Sequence, residues 1–359
     1  MERFERQIIL PELGKGGQQK LLSAKVLVVG AGGLGCPALL YLAAAGVGTI
    51  GIADGDRVAV SNLNRQVLFG LDDAGKPKAS AAKHYLEERY PDIKIEAYDR
   101  YLAVKNLVEI LPGYDLVIDG SDNFATRYML NDAAVLFGKP LVYGAVYKYD
   151  GQVALFNAGK GSANYRDLFP HMPEPGEIPD CAEAGVLGVL PGIIGTMQAA
   201  EAVKWLTGIG KPLDGKVLFY NLAEQSFYDI ELVPNEESQK KRPATVEAFL
   251  KTDYAFECAS EIDIGWKEAL AATSRKPSVF VDIREFYEMP RWTDSDCLEI
   301  PFSALKQKEG VLQNGKPVFL FCQHGIRSRP AATELRKTLK RNNIYSVTGG
   351  VEHPDSPVK

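Results

Sequence analysis

The sequence feature that most limits the fold is a glycine-rich turn, GAGGLG, at residues 30–35. The apolar segment KVLVV at residues 25–29 precedes it and is typical of a buried strand, and residues 34–45 read as a helix that follows directly. A second apolar segment ends at Asp54, nineteen residues after the last glycine of the turn. Glycines let a backbone approach phosphates, a helix N-terminus offers free N–H groups, and an acid at this distance holds a ribose hydroxyl. The turn therefore predicts a nucleotide-binding βαβ unit, with a purely structural glycine turn as the alternative.

The order of strands and helices after this unit predicts the fold class. Apolar strands and helices alternate to about residue 137, which predicts a mostly parallel sheet covered on both faces. Segments 141–147 and 152–156 flank a Tyr-Asp-Gly turn, which is typical of a hairpin. We therefore expect an α/β fold with a Rossmann-like, mostly parallel sheet whose late part is antiparallel.

A polar, proline-bounded segment, residues 234–246, has the composition of a linker. Residues 1–233 before it are predicted to form the nucleotide-binding domain. Apolar strand-like segments recur at 279–282 and 318–321. Residues 247–359 are therefore predicted to form a second, small α/β domain.

The composition excludes several classes of function. The 359 residues carry a net charge of −5, which argues against a general nucleic-acid or membrane-surface binder. The charged N-terminus is not typical of a signal peptide, and no apolar stretch approaches the roughly 20 residues that span a bilayer. The five cysteines do not form a disulfide framework. We therefore expect a cytoplasmic protein with no nucleic-acid or membrane partner.

Motifs after the glycine turn separate ATP enzymes from NAD enzymes. They are DGD at 54–56, SNLNRQ at 61–66, GKPK at 75–78, and SDN at 121–123 with Arg127. Together with the opening segment RFERQIIL, they resemble the ubiquitin-activating-enzyme superfamily and, within it, the MoeB/ThiF (HesA) family of adenylyltransferases. The resemblance covers roughly residues 3 to 233. An NAD-dependent oxidoreductase, which the glycine turn alone permits, leaves these motifs unexplained.

The resemblance implies that ATP, with Mg²⁺, adenylates the C-terminal glycine of a ubiquitin-like sulfur-carrier protein. A carboxylate that attacks ATP brings one anion onto another, so such a site needs cations and fixed hydrogen-bond donors. By resemblance, the nucleotide-binding residues are Gly30, Gly32, Gly33, Asp54, Asp56, Ser61, Asn62, Arg65, Gln66, Lys78, Asp122 and Asn123.

Five of the polar residues have particular roles by resemblance. Asn62, Arg65 and Lys78 hold the phosphates, and Asp122 is the Mg²⁺ ligand. An exposed ion pair is the alternative for Arg65 and Lys78. Arg6 resembles the arginine that the family inserts from the neighbouring subunit, which implies a homodimer. A solvated terminal charge is the alternative for Arg6.

Cys181 lies in the segment PDCAEAGV, at the end of a long loop rich in Gly, Pro and acidic residues. By resemblance, this cysteine forms covalent bonds with the carrier in sulfur-transferring members of the family. A small buried apolar residue is the alternative. Many members also bind zinc through two C-x-x-C pairs, but this chain has NYRD at 164–167 in place of the first pair and no cysteine between Cys181 and Cys258. We therefore predict no zinc.

A second reactive cysteine, Cys322, begins the segment CQHGIRS between a buried strand and a helix-like segment. Successive backbone N–H groups and a helix N-terminus stabilise a thiolate or persulfide in such a loop. With DIRE at 282–285 and GG at 349–350, the loop resembles the rhodanese family. Related phosphatases have one more residue between the cysteine and the arginine, so this spacing, from Cys322 to Arg327, favours sulfur over phosphate. A catalytically silent rhodanese-like fold is the alternative.

Together the two resemblances imply a reaction in which a persulfide on Cys322 gives the adenylated carrier a thiocarboxylate. A cysteine desulfurase or another donor loads the persulfide. The expected carrier is a small subunit of molybdopterin synthase type ending in Gly-Gly, used in molybdenum cofactor biosynthesis. A thiamine-pathway carrier is the alternative, and a carrier of tRNA thiolation or of a cysteine pathway stays open. A non-catalytic carrier-binding scaffold is the alternative from another class. Cys36, Cys258 and Cys297 have no motif around them and read as structural.

Overall fold

The computed structural model divides the chain into two compact units after Tyr254. The structure describes residues 2–170, 172, 185–254, 262–273, 277–292, 297–312, 315–339 and 341–358, without the side chains of 309 and 337.

The first unit is built on a sheet whose strands are β1 Lys25–Val29, β2 Thr49–Ala53, β3 Lys94–Tyr98, β4 Leu116–Asp119, β5 Leu141–Tyr147, β6 Asp150–Phe156, β7 Lys216–Asn221 and β8 Ser226–Glu231. Its described α-helices are α1 Glu5–Ile8, α2 Gly14–Ser23, α3 Gly35–Ala45, α4 Lys78–Arg89, α5 Val104–Ile110, α6 Phe124–Leu136, α7 Tyr165–Leu168, α8 Val189–Thr207, α9 Glu236–Lys240 and α10 Val246–Lys251.

The strands of this sheet lie in the order β3-β2-β1-β4-β5-β6-β7-β8. The five strands from β3 to β5 are parallel, and β6, β7 and β8 continue the sheet in antiparallel pairs. This arrangement confirms the predicted fold class. Strand β1 pairs with β2 on one side and with β4 on the other, so the winding of the chain reverses at β1. In open α/β sheets, ligands bind in the crevice outside the carboxyl ends of the strands at such a reversal.

Alternate side chains of β1 enter two separate cores, because successive residues of a strand point to opposite faces. Val26 and Val28 pack with α3 residues such as Leu39 and Leu42 on one face. Leu27 packs on the other face with α6 residues such as Leu130. Burial on both faces explains why β1 is a continuous apolar run rather than an alternating one. The same burial fixes the strand ends, where the site lies.

The predicted linker, residues 234–246, lies against the first unit. Asn235 donates its backbone N–H to the Asp167 carboxylate at 2.7 Å, and helix α9 follows at once. Further on, Phe249 and Tyr254 are buried in the core beside α5 and α6. The boundary between the units therefore lies later than the polar composition predicted, because two aromatic side chains after the polar segment are anchored in the first core.

The second unit contains a small parallel sheet in the order β11-β10-β12-β13-β9. Trp266, on its first described helix, is fully buried and donates its indole N–H to the Gly350 carbonyl at 2.7 Å. The strands are β9 Asp263–Ile264, β10 Val279–Asp282, β11 Cys297–Glu299, β12 Val318–Phe321 and β13 Ile344–Val347, and the helices are α11 Trp266–Thr273, α12 Phe302–Lys308 and α13 Ser328–Leu339.

Across the part of the chain that the structure describes, none of the helices combines the length and the apolar character that a membrane crossing requires.

Candidate functional site

A cavity of about 210 Å³ opens at the carboxyl ends of β1, β2 and β4, where the winding of the sheet reverses. The predicted nucleotide-binding residues that line it are Gly30, Gly32, Gly33, Asp54, Asp56, Arg65, Gln66, Lys78, Asp122 and Asn123. Strand geometry brings these residues together, because parallel strands end at the same edge of the sheet.

The glycine turn has two kinds of glycine. Gly30 has a φ of +94°, and a Cβ there would lie 2.6 Å from the Gly120 carbonyl oxygen, so the fold itself requires glycine. A Cβ on Gly32 would meet no atom nearer than the Gln66 amide nitrogen at 3.8 Å. Because Gly32 lines the cavity, its missing side chain leaves room there for a ligand to approach the backbone.

Asp54 joins the end of β2 to the glycine turn. Its carboxylate accepts the backbone N–H of Ala31 at 2.7 Å and that of Asp56 at 2.8 Å. Burial raises the pKa of Asp54, and the backbone donors and the nearby Lys78 oppose that shift. Asp54 therefore fixes the turn against the neighbouring strand while it still lines the cavity.

Asp56 and Lys78 form an ion pair on the wall of the cavity. The Lys78 ammonium is buried and donates to the Asp56 carboxylate at 2.9 Å. The Tyr101 hydroxyl donates to the other carboxylate oxygen. Partial burial raises the pKa of Asp56, but the hydrogen bonds from Tyr101 and Lys78 outweigh it and hold the pKa below its usual value. The Lys78 side chain is thus held in place on the lining of the cavity.

Arg65 and Gln66 follow a short 3-10 helix on the other wall. Arg65 donates to the Ser61 carbonyl at 3.3 Å and to the Asn64 side chain at 3.0 Å, which leaves its planar group beside the cavity. The side-chain carbonyl oxygen of Gln66 is buried and meets no hydrogen-bond donor among the described residues. A buried amide oxygen of this kind is costly unless a ligand or water satisfies it.

The loop after β4 and the first turn of α6 supply an acidic and a basic group. Asp122 is exposed and lines the cavity, and the Asn123 side chain caps α6 by accepting the Thr126 N–H at 2.9 Å. Arg127, on the first turn of α6, is buried and donates to the Ser121 carbonyl at 3.2 Å. Asn123 therefore caps helix α6 and also lines the cavity.

The chemistry of the cavity fits a nucleoside triphosphate with Mg²⁺. Arg65, Lys78, Arg100 and Arg127 supply positive charge, and the glycine turn supplies backbone N–H groups. Asp122 supplies a carboxylate oxygen, the kind of ligand that Mg²⁺ prefers in such sites. The arrangement is suited to holding a polyanion while a second anion approaches.

Several predicted residues lie elsewhere. Ser61 and Asn62 do not line the cavity, and the Asn62 carbonyl accepts the backbone N–H groups of Arg65 and Gln66 at 3.1 and 3.0 Å. Arg6 is exposed on α1 and does not line the cavity. Cys181 lies outside the described residues.

Among the polar residues that line the cavity, sequence reasoning did not assign Arg100, Tyr101 or Arg127 to the site. Arg127 stood beside the SDN motif, and its position one helical turn after Asn123 was the available signal. Arg100 and Tyr101 follow β3, and the edge where parallel strands end was the signal for them.

The segment that replaces the first zinc pair holds a buried ion pair. Arg166 donates to both oxygens of Asp132 at 2.7 Å, and Asp132 also accepts the Tyr254 hydroxyl at 2.7 Å. Asn164 caps α7 and is bonded to Asn131 at 3.3 Å. Among the residues that the structure describes, no cluster of three His, Cys, Asp or Glu side chains is placed to hold a metal. The absence of zinc stays a prediction.

In the second unit, Cys322 lies at the end of β12, and α13 begins at Ser328 directly after the loop. The thiol is buried, and its sulfur is 3.8 Å from the Ser328 hydroxyl. A Cβ on Gly350 would lie 2.1 Å from the Cys322 carbonyl oxygen, which in turn accepts the Val351 N–H at 2.9 Å. The missing side chain of Gly350 thus lets the backbone at residues 350 and 351 pack against the start of the cysteine loop.

Arg327 closes the other side of this loop. Its guanidinium donates to both oxygens of Glu288, at 2.8 Å for one of them. Arg284 is fully buried, donates to the Asp282 carboxylate at 2.7 Å and reaches the Gln323 side chain at 3.1 Å. His324 is exposed, 3.1 Å from Glu352. The DIRE motif therefore contacts the cysteine loop through the hydrogen bond from Arg284 to Gln323.

Comparisons with known proteins cover the segments of the chain that carry both sites. Residues 4–242 match the ThiF family, and residues 266–353 match the rhodanese-like domain. A sulfur carrier protein adenylyltransferase of Thermus thermophilus is 55% identical over 231 residues, which cover 63% of this chain and 85% of that protein. A probable adenylyltransferase/sulfurtransferase, MoeZ, of Mycobacterium tuberculosis is 40% identical over 365 residues, covering 97% of this chain and 91% of that one.

Among solved structures, E. coli MccB with ATP is similar, with a TM-score of 0.56 and 22% identity, covering 66% of this chain and 73% of that chain. At this level of identity the likeness concerns the fold alone.

Proposed function

This chain belongs to the ThiF family and carries a rhodanese-like domain, and from this premise we propose that it adenylates the C-terminal glycine of a ubiquitin-like sulfur-carrier protein and then converts that end to a thiocarboxylate. It is an adenylyltransferase with sulfurtransferase activity, like its relatives that span both domains. The observation that carries the proposal is the cavity that joins a glycine turn to the cationic side chains of Arg65, Lys78, Arg100 and Arg127 at one sheet edge.

In the first step, a carboxylate oxygen of the carrier attacks the α-phosphorus of ATP, and pyrophosphate leaves. Asp54 is proposed to hold the ribose, since its carboxylate lies at the end of β2 beside the glycine turn. Arg65 and Lys78 are proposed to hold the phosphates. Asp122 would hold Mg²⁺, which neutralises phosphate charge when bound. Fixed cations help here because two anions must come together.

In the second step, the outer sulfur of a Cys322 persulfide attacks the acyl carbon of the adenylate, and AMP leaves. The loop around Cys322 supports this role because its thiol lies directly before α13, where a helix N-terminus stabilises an anionic sulfur. The product is an acyl disulfide between Cys322 and the carrier. We propose that Cys181 resolves it: the Cys181 thiolate attacks the Cys322 sulfur, the carrier thiocarboxylate leaves, and the Cys181–Cys322 disulfide that remains is reduced by an external thiol. As a relay, Cys181 would instead displace AMP to form a thioester with the carrier before the persulfide attacks. Linking both domains in one chain raises the effective concentration of sulfur near the adenylate.

The proposed partners are a carrier with a C-terminal Gly-Gly and a sulfur donor such as a cysteine desulfurase. The T. thermophilus relative is named for a sulfur carrier protein, which supports this class of substrate. A carrier of the molybdopterin synthase type is our first choice, and a thiamine-pathway carrier is the second. A homodimer is proposed because Arg6 is exposed and free to reach a neighbouring subunit's cavity.

Two other classes of function lose support. An NAD-dependent oxidoreductase would share the glycine turn, but the relatives that match both domains are adenylyltransferase/sulfurtransferases. A non-catalytic scaffold would not need a buried Lys78 held by a half-exposed Asp56 on the cavity wall.

The mass of the carrier tests this proposal. The purified chain is incubated with a Gly-Gly-ended carrier, ATP and Mg²⁺, and the carrier is weighed by intact mass spectrometry. The carrier is expected to gain AMP first and, once a persulfide donor is added, to exchange a carboxylate oxygen for sulfur. If no carrier from any of the candidate pathways changes in mass, the proposal is contradicted.

A further inference from the structure

The arginine that ends the Cys322 loop is paired with a carboxylate. Arg327, which ends the loop, donates to both carboxylate oxygens of Glu288. Only about a quarter of the Arg327 side chain and less than a fifth of the Glu288 side chain are exposed (25% and 18%). Glu288 is further fixed because it accepts the Glu285 backbone N–H at 2.7 Å. The positive charge that ends the loop is therefore matched by a carboxylate held in place.

Two further arginines beside the loop share one carboxylate, and the loop histidine lies near another. Arg284 and Arg291 both contact the buried Asp282 carboxylate, at 2.7 and 3.1 Å. His324 lies 3.1 Å from Glu352. The carboxylates of Glu288, Asp282 and Glu352 therefore offset positive charge around the loop, which makes it a poor binding place for a doubly charged small anion.

The segment that carries Glu288 is apolar at its surface. Phe286, Tyr287 and Met289 are 62%, 83% and 69% exposed. Exposed apolar side chains of this size favour contact with a peptide or protein surface over contact with a small hydrated anion.

We propose that Glu288 is a specificity-determining residue that disfavours doubly charged sulfur donors, such as thiosulfate, and leaves Cys322 to accept sulfur from a cysteine persulfide. The inference rests on the proposed sulfur transfer and names its donor class. In either case the Cys322 thiolate attacks the outer sulfur of the donor and the donor's S–S bond breaks. The leaving group is a cysteine thiolate from the persulfide, or sulfite from thiosulfate, and Cys322 keeps the transferred sulfur.

The test compares two donors on the full chain and on Glu288→Gln. Thiosulfate and free cysteine persulfide, a monoanion near neutral pH, are each used with cyanide as the acceptor. Removing the carboxylate charge should raise kcat/KM for thiosulfate about tenfold, through KM and with a strong dependence on salt, because the charge that offsets the Arg327 guanidinium is then lost. The same variant should use cysteine persulfide within about twofold of the unchanged chain, since that donor depends less on charge.

Two variants keep the test specific. Glu288→Asp retains the charge and should stay as poor with thiosulfate as the unchanged chain. Glu285→Gln alters a carboxylate of the same segment that accepts hydrogen bonds from Ser303, and it should change neither donor.

An unchanged or lowered thiosulfate kcat/KM in Glu288→Gln overturns the inference, and so does a parallel loss with both donors, which would mark Glu288 as structural only. If the unchanged chain loads sulfur on Cys322 from neither donor, the proposed sulfur transfer fails together with the inference.

Discussion

At the scale of single residues, burial decides which side chains stay inert. Cys36 begins α3 beneath the glycine turn, is completely buried and donates its thiol to the Ala31 carbonyl at 3.3 Å. Burial raises the pKa of Cys36 to about 12, with only small opposing effects from a backbone hydrogen bond and Lys78. The prediction that Cys36 is structural therefore has a physical basis in this structure.

We predict that Cys36 is alkylated by iodoacetamide about a thousandfold more slowly than an ordinary exposed cysteine near neutral pH, because only the thiolate reacts. Peptide mass spectrometry after timed labelling of the native protein measures this rate. Labelling in guanidinium, where the burial is lost, is the control and should bring Cys36 to the ordinary rate. Rapid labelling of Cys36 in the native protein contradicts the account.

At the scale of elements, a polar clasp holds α6, α7 and the end of the first unit together. Asp132 lies on α6, Arg166 on α7, and Tyr254 is the last residue of the unit. Asp132 is completely buried and receives hydrogen bonds from both partners. A pair of this kind is costly to break from one side, since the remaining charge stays buried without compensation.

We predict that Arg166→Ala lowers the free energy of unfolding of the first unit by about 3–5 kcal/mol. Tyr254→Phe, which removes only a hydroxyl, should cost about 1 kcal/mol. Urea denaturation followed by circular dichroism measures both values. Substitution of the exposed Arg89, which packs over Tyr85 on the surface of α4, is the matched control with little expected effect. Equal losses for Arg166→Ala and the control would show that the clasp does not stabilise the unit.

At the scale of the whole molecule, the first unit ends at Tyr254 rather than before the polar segment. A fragment that ends at residue 233 loses the buried Phe249 and Tyr254 side chains, whereas one that ends at residue 254 keeps them. The longer fragment should be more stable by at least about 3 kcal/mol, the usual cost of emptying a buried aromatic site. Thermal unfolding of the two fragments compares them, and identical midpoints would refute this boundary.

Local structure that is determined by residues adjacent in the sequence is predicted best. The strand, glycine turn and helix around Gly30 follow from an apolar run and from backbone conformations that only glycine adopts easily. Tyr101 joins the site only because β3 and β2 end side by side, which no local pattern encodes. Likewise Ser61 and Asn62 stand in the same motif as Arg65, yet the 3-10 helix carries them away from the cavity. The domain boundary was misplaced because polar composition does not reveal the aromatic anchors that follow.

The central claim is that the cavity over the first sheet lets a carrier carboxylate attack ATP, and ATP–pyrophosphate exchange tests it most directly. With a Gly-Gly-ended carrier and Mg²⁺, the unchanged chain should move labelled pyrophosphate into ATP. Arg65→Ala should lower that exchange about 10²–10³-fold, since one fixed donor to the phosphates is lost. Sulfur loading of Cys322 in the same variant should be unaffected. Exchange at the unchanged rate in Arg65→Ala, or no exchange with any Gly-Gly-ended carrier in the unchanged chain, contradicts the account.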